Sequence, residues 1–449
     1  MVFATARTPR CLALAIAAWL VGACNQALGL EPVALAGDAA IAPLDAARCE
    51  PPAAADVEGG AAVDGVFAYG VAGAAWFGSR LFLVGTRDGR GNDGATAAIE
   101  FPAAPGATWA TRALGGTGDD QLWTAAGSAD ALLAGGVTRS FHATPLDEGL
   151  LVGIDATGTM STRRLRASVA IQVHAVAPAT DGAWWVAGLA GGQHAMVARL
   201  TGSATNGAMT VDAHRFAIDG AQPRPRRVVD APDDRDAPYV VGQLGDTAAG
   251  FVARVDTTPD GGDTSWAVAV PIEVFDAAWF DGSLWVAGRA GADGALLRFD
   301  VEGALRAAWR LLQRPLQRID RRGATVWLGG ATGDGVFVGT LAGDCVTGTD
   351  FASLTPAQPL PTRLPLEVGG AVPVLAGRVG TSARAIPLGE DATATCGVPF
   401  AAVREPTTTA ATAADYVAAT PVAMVHELVS AITAVVNLGA QPATCPGSR

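Results

Sequence analysis

A short apolar run closing on glycine recurs seven times along this chain. It reads LFLVG (81–85), LLAGG (132–136), WWVAG (184–188), YVVG (239–242), LWVAG (284–288), VWLGG (326–330) and VLAG (374–377). The closing residues Gly85, Gly136, Gly188, Gly242, Gly288, Gly330 and Gly377 stand 42–54 residues apart. A period of that length marks an array in which each repeat is one supersecondary unit.

Each run is followed by a loop and a second apolar run, such as ALLRFDV (295–301) after LWVAG. Several loops end in Asp-Gly or Glu-Gly: Asp93-Gly94, Glu148-Gly149, Asp293-Gly294 and Asp334-Gly335. Such pairs reach positive φ at little cost, as tight hairpin turns require. Adding the flanking runs EVFDAAWF (273–280) and ALRAAWRLL (304–312) gives four short strands per repeat. The LWVAG-type run is apolar at successive positions, so both of its faces must be buried. Its terminal glycine suits a place where backbones crowd. Helical solenoids share the period, but they need long i, i+3, i+4 stripes that these short runs do not supply. The expectation is an all-β chain: a β-propeller of seven four-stranded blades over 65–402.

One repeat carries more. It holds Gly115, Gly116, Gly118, Asp119 and Asp120, then Gly136, Thr138 and Ser140, then Asp155 and Gly158. With these residues it resembles a bacterial β-propeller repeat family of exported proteins. The resemblance implies the fold and an extracytoplasmic setting, and no reaction.

The N-terminal 1–23 reads as a signal peptide, with Arg7 and Arg10 ahead of the apolar core CLALAIAAWLV (11–21). The sequence LVGAC (20–24) resembles the lipobox of bacterial lipoproteins. That resemblance implies Cys24 as the lipid-attachment (palmitate-bearing) residue, and Asn25 after it implies outer-membrane sorting. An ordinary secretory signal cleaved near Ala23 is the alternative, and both export the protein. Residues 24–64, rich in Ala, Pro and Gly, read as a disordered spacer. Residues 403–449 read as a linker and a C-terminal amphipathic helix. Val425, Leu428, Val429, Ile432, Val435 and Val436 follow helical spacing, with Thr420 as cap and Gly439 as stop.

There are 31 basic against 43 acidic residues, and every basic one is arginine. The acidic surface repels nucleic acid and anionic headgroups, so any membrane anchoring must come from lipid. Without lysine, Schiff-base chemistry, a P-loop and a Ser-Lys dyad are excluded. Outside the signal and Cys24, the remaining cysteines are Cys49, Cys345, Cys396 and Cys445. Four cysteines in an exported chain imply two disulfides with three possible connectivities. The preferred one is Cys345–Cys396 with Cys49–Cys445.

Signs of chemistry are sparse. His142, His174, His194, His214 and His426 form no close-set motif. Asp88, Asn92 and Asp93 share one loop and offer hard oxygen ligands for calcium, without an EF-hand pattern; no other metal or cofactor is expected. Trp185, Trp285 and Trp327 read as packing between blades, whereas Trp76, Trp123 and Trp279 fall on first strands, which line the channel of a propeller. The expected function is a non-catalytic binding or scaffold module, lipid-anchored at the cell envelope, for a protein or glycan partner. The alternative is an envelope glycan hydrolase or lyase with acidic residues such as Asp119, Asp181 or Asp281 at the channel.

Overall fold

Thirty-four β-strands and no helix make up the described residues of the computed structural model. These are residues 49–442, apart from 54–59, 90, 142–145, 156, 204, 206, 219–220, 233–235, 259–264, 353, 356–362, 395–396, 415 and 430–431. Only the backbone is described at 88–89, 91–92, 416–420, 432–436 and 442. Residues 1–23, expected to be a signal peptide, and Cys24, Cys396 and Cys445 lie outside the described residues. Everything below concerns the compact unit Ala46–Arg449.

Seven antiparallel meanders follow one another along the chain. Sheet 1 is Val71–Phe77, Arg80–Gly89, Gly91–Glu100 and Thr108–Leu114; sheet 2 is Asp120–Gly127, Ala131–Thr138, Glu148–Asp155 and Met160–Arg166. Sheet 3 is Ile171–Pro178, Trp184–Ala190, His194–Gly202 and Met209–Ile218; sheet 4 is Pro223–Val229, Tyr239–Leu244, Gly250–Arg254 and Trp266–Val270. Sheet 5 is Glu273–Phe280, Ser283–Ala290, Asp293–Phe299 and Leu305–Leu311; sheet 6 is Arg318–Arg322, Thr325–Ala331, Gly335–Ala342 and Cys345–Ala352. Sheet 7 has Leu366–Glu367, Val374–Val379 and Ser382–Pro387, and its fourth strand is Ala61–Asp64 from the other end of the chain. The unstructured spacer expected through residue 64 is therefore corrected over these four residues: the bare edge of sheet 7 takes them up as a strand.

Burial explains the doubly apolar runs. Seven hydrophobic clusters fill the spaces between successive sheets, 1 with 2, 2 with 3, and so on to 6 with 7. The remaining cluster joins sheet 7 to sheet 1, through Val374, Ala376, Ala383 and Ala385 against Val71, Leu81 and Leu83. Each sheet therefore buries both faces. Trp185 and Trp327 are fully buried as inter-sheet packing, and Trp285 is 8 % exposed. The fourth strands sit farther out and alternate in burial, as Thr108–Leu114 does.

The Asp-Gly and Glu-Gly pairs do not turn the hairpins. Asp93-Gly94, Glu148-Gly149, Asp293-Gly294 and Asp334-Gly335 lie at or beside the beginnings of strands, and the positive φ values fall elsewhere, as at Gly291 between two strands of sheet 5. Asp281-Gly282, expected ahead of the LWVAG run, has φ of 53° and 67°, and Gly303 of Glu302-Gly303, expected after ALLRFDV, has φ of 83°; these two pairs do sit in turns. At Gly294 and Gly335 the missing side chain instead admits a neighbouring carbonyl oxygen, of Arg314 or Phe351. The signal came from close approach, which leaves the same residue in the sequence as a turn does.

The C-terminal amphipathic helix is overturned. Residues 398–442 are a run of short strands that pair with the outer edges of the sheets in turn. Val398–Pro406 pairs with the fourth strands of sheets 6 and 5. Thr412–Ala413 pairs with sheet 4, Tyr416–Pro421 with sheet 3, and Val425–Val429 with sheet 2. Ile432–Gly439 pairs with sheet 1, and Gln441–Pro442 with Ala61–Ala62 of sheet 7. The segment is rich in Val and Thr, which favour extended backbone. Unpaired edge strands supply the hydrogen bonds that a helix would have made internally. Glu427, assigned to the helix, instead faces Arg164 and Arg166 across the strand pair, with Arg166 Nη1 2.8 Å from Oε1.

One disulfide joins Cys49 to Cys345, with Cα atoms 5.6 Å apart. This corrects the preferred connectivity at both residues. The bond ties the N-terminal segment to the outermost strand of sheet 6. Sequence spacing holds no record of that adjacency, since 296 residues separate the two cysteines.

Candidate functional site

The closing glycines shape the interior. At Gly136, Gly188, Gly242 and Gly288 a methyl group would overlap the carbonyl oxygen of Gln121, Gln172, Arg224 or Glu273 in the neighbouring first strand. Just past those carbonyls the register of each first strand slips by one residue, at Leu122/Thr124, Val173/Ala175, Pro225/Arg227 and Val274/Asp276. The first strand of sheet 1 slips likewise at Val71/Gly73. A β-bulge re-aims the extra residue. The extra residues are Ala72, Trp123, His174, Arg226 and Phe275.

Four of these five line one cavity. It is a cleft of about 120 Å³, open to solvent, among the first strands of sheets 1 to 4 and the entry to sheet 7. Ala72, Ala74, Ala125, Pro225, Leu364 and Pro365 form its apolar wall, and Trp123, His174, Arg224, Arg226, Gln243, Arg363 and Glu367 its polar one. Trp123 meets His174 edge to face, with ring centroids 5.2 Å apart. Its Nε1–H donates to Gln121 Oε1 at 2.9 Å. His174 Nδ1 lies 3.1 Å from the Pro225 carbonyl oxygen and Nε2 3.2 Å from Gln172 Oε1, so each ring nitrogen faces an acceptor. Burial, with Arg226 and Arg224 nearby, lowers His174 to about 4, leaving the ring neutral at pH 7.

The arginines are held by carboxylates behind the wall. Arg226 Nη2 is 3.2 Å from Glu273 Oε1, and its guanidinium lies 4.5 Å from the centroid of Phe275, the fifth bulge residue. Arg363 Nε is 3.0 Å and Arg227 Nε 3.4 Å from Asp276 Oδ1. Asp276 Oδ2 accepts from Arg318 Nη1 at 3.2 Å and from the Ile319 amide at 3.0 Å. Arg318 in turn donates to Asp320 Oδ2 at 2.5 Å and to Glu367 Oε1 at 3.4 Å. Asp276 is wholly buried and Arg318 nearly so. This network spans the first strands of sheets 4, 5 and 6 and the entry to sheet 7.

Burial pushes the Glu367 carboxyl up to about 8; the guanidinium of Arg318 opposes this and the charge of Asp320 assists it. In the unfolded chain the group titrates near its ordinary 4.5. Between those values the folded state keeps a proton that the unfolded state has lost, so stability falls as pH rises through the window. Glu367→Gln imitates the protonated form. It is expected to match the wild type near pH 5 and to exceed it by roughly 2 kcal/mol or more at pH 9. Denaturant melts at stepped pH read this, and parallel profiles for the two proteins would mean that Glu367 is ionised throughout.

The residues singled out in the sequence are mostly not gathered here. Of the first-strand tryptophans, Trp123 lines the cavity, whereas Trp76 packs on Phe101 and Trp279 stacks on Tyr239 at 5.2 Å. Asp119, Asp181 and Asp281 each pair with an arginine: Arg139 at 3.8 Å, Arg199, and Arg321 at 2.8 Å. None lines the cavity. His214 faces Asp212 and His426 faces Arg163, and His142 is outside the described residues. Among the described residues, no group of three or more His, Cys, Asp or Glu is placed to hold a metal ion. For the calcium candidate, the side chains of Asp88 and Asn92 lie outside the described residues. Burial, then the charge of Asp120, raises Asp93.

The glycine-aspartate motif of sheet 2 is a structural knot. Buried Asp120 accepts from Thr138, from Ser140 and, at 3.0 Å, from the Gly116 amide, while the Gly118 amide donates to Ser140 Oγ at 3.0 Å. Asp155 accepts from the amides of Thr157 and Thr159, both at 2.9 Å, ahead of Gly158 with φ of 80°. Sequence reasoning missed Arg224, Arg226, Arg363 and Glu367. The available signal was PRPRRVV (223–229), a first strand with three arginines, a feature shared with RIDRR (318–322) of sheet 6.

No protein-family model matches this chain, and no characterised protein matches it either.

Proposed function

We propose that the chain is an exported, lipid-anchored β-propeller of seven blades, acting at the cell envelope as a non-catalytic binding module through its central cavity. The observation carrying the propeller reading is the set of seven inter-sheet cores, the last of which returns from sheet 7 to sheet 1. The order in which the C-terminal strands visit the sheets, 6-5-4-3-2-1-7, is the same cycle run in reverse. In such a ring the first strands face the axis, where a ligand pocket is the usual use of the space.

Binding is favoured over glycan hydrolysis by the cavity's ionisable groups. A hydrolase or lyase of the two-carboxylate type needs a pair about 5–10 Å apart on either side of the scissile bond. The cavity presents one carboxyl, Glu367, among three arginines. Export and anchoring rest on LVGAC (20–24) and its lipobox resemblance. Two measurements test the reading. Wild-type protein should fractionate with membranes and Cys24→Ser should not; an unchanged fraction removes the anchor. Purified protein should release no reducing ends from envelope polysaccharides above a buffer blank, and release above it installs the hydrolase in place of the binding module.

A further inference from the structure

We propose that the central cavity takes a small organic carboxylate, with its anionic group on Arg224 and Arg226 and its flat or apolar body between Trp123 and the wall of Ala72 and Leu364. The inference deepens the binding reading above and rests on it. Four observations converge on that chemistry.

The first is charge. In a chain of net charge −12, the cavity lining holds Arg224, Arg226 and Arg363 against the single carboxyl of Glu367. Because Glu367 is pushed up to about 8, it faces a ligand at neutral pH as a neutral hydrogen-bond donor. An anion there meets attraction that the acidic exterior does not offer.

The second is availability. Arg363 and Arg226 are engaged behind the wall by Asp276 and Glu273, which fixes them as a cationic surface. Arg224 differs: its side chain is 43 % exposed, and its partner Asp246 is 85 % exposed, at 2.9 Å. A solvated pair of that kind is worth at most about 1 kcal/mol. A ligand carboxylate in a drier site can replace Asp246, and the planar guanidinium matches it with two parallel N–H donors.

The third is the apolar half of the wall. Alanine, leucine and proline side chains with the face of Trp123 suit a carbon body and give inorganic anions nothing to bury. The fourth is size, since a cavity of about 120 Å³ is close to the roughly 150 Å³ of an apolar cavity that takes benzene. Trp123 and Arg226 also hold equivalent bulge positions in sheets 2 and 4, with His174 between them, so aromatic and cationic groups are presented side by side by one repeated device.

Sodium benzoate is a suitable probe, with benzamide as its neutral isostere and phosphate as an anion without an apolar body. Titration of the full chain at pH 6.5 and constant ionic strength, followed by calorimetry and tryptophan fluorescence, should show one saturable benzoate site per chain. Benzamide and phosphate should each bind at least tenfold more weakly. Arg224→Gln should weaken benzoate at least tenfold while leaving the melting temperature and the benzamide affinity unchanged. Benzoate affinity should also fall between pH 6.5 and pH 9, as Glu367 ionises. No saturable benzoate binding, or equal binding of benzamide, overturns the proposal; phosphate binding as tightly as benzoate overturns its organic part. If benzoate fails while the protein stays membrane-bound and cleaves no glycan, only the ligand class falls. Glycan cleavage removes the non-catalytic reading whatever benzoate does.

Discussion

Asp276→Asn is expected to destabilise the fold by about 3–5 kcal/mol, read as a shift of the denaturant midpoint at unchanged m-value. The substitution keeps the shape and one acceptor oxygen but removes the charge that Arg227, Arg318 and Arg363 share. Breaking a buried network on one side costs more than the network is worth, because the remaining charges stay desolvated with nothing to offset them. Here three guanidiniums from three different sheets would lose their common partner, and Asp320 and Glu367 already share Arg318. A second variant separates charge from packing. Adding Arg318→Met removes one cation as well and restores the balance, so the double variant should lie closer to wild type than the sum of the two single changes. Additive losses would show that the residues act through shape alone. Because the network joins sheets 4, 5, 6 and 7 at the inner strands, the loss should appear in global unfolding and not in fraying of one sheet.

The repeat was legible because burial on both faces leaves a mark that few alternatives produce. Runs such as WWVAG admit no polar position, and the glycine that closes them is required by a neighbouring carbonyl oxygen. Four-stranded units and their approximate spans followed from that. The cavity was not legible, for a reason of the same kind. A β-bulge shifts the register by one residue, so alternation counted along a first strand assigns His174 and Arg226 to the wrong face, and of the bulge residues that line the cavity only Trp123 was legible as channel-facing. The ion network behind the wall joins residues 227, 276, 318, 363 and 367, whose proximity exists only once the sheets are side by side. The tail misled for a different reason. Val425, Leu428, Val429 and Ile432 satisfy helical spacing, and local pattern holds no information about which strand edges elsewhere lack a partner. The same blindness explains Cys49, whose partner Cys345 is brought near by the folded sheets and by nothing in the adjacent sequence.

Deletion of residues 407–449 is expected to convert a monomer into concentration-dependent oligomers and to lower Tm by something of the order of 10 °C. The seven inter-sheet cores draw their buried residues almost entirely from positions before 407, so the truncated chain retains what is needed to collapse. What it loses is the outer partner of five sheets. The edges Thr108–Leu114, Met160–Arg166, Met209–Ile218 and Trp266–Val270 would face solvent, as would Ala61–Asp64. Sheets 5 and 6 keep theirs, since Val398–Pro406 remains. Exposed edges present rows of unpaired N–H and C=O groups that water satisfies poorly against competition from another edge, and edge-to-edge pairing between molecules follows. The tail is also anchored by charge, through Glu427 to Arg164 and Arg166, so its removal leaves those arginines with Glu148 alone among these acidic partners. Circular dichroism should therefore keep its β signal while light scattering rises with concentration. A helix docked on the outside, as the spacing of Val425 to Val436 suggests, would predict the reverse: loss of helical signal with no change in association. A truncated protein that stays monomeric at the wild-type Tm would mean that the edges are protected by their own side chains and that the strap of C-terminal strands contributes little to the native state.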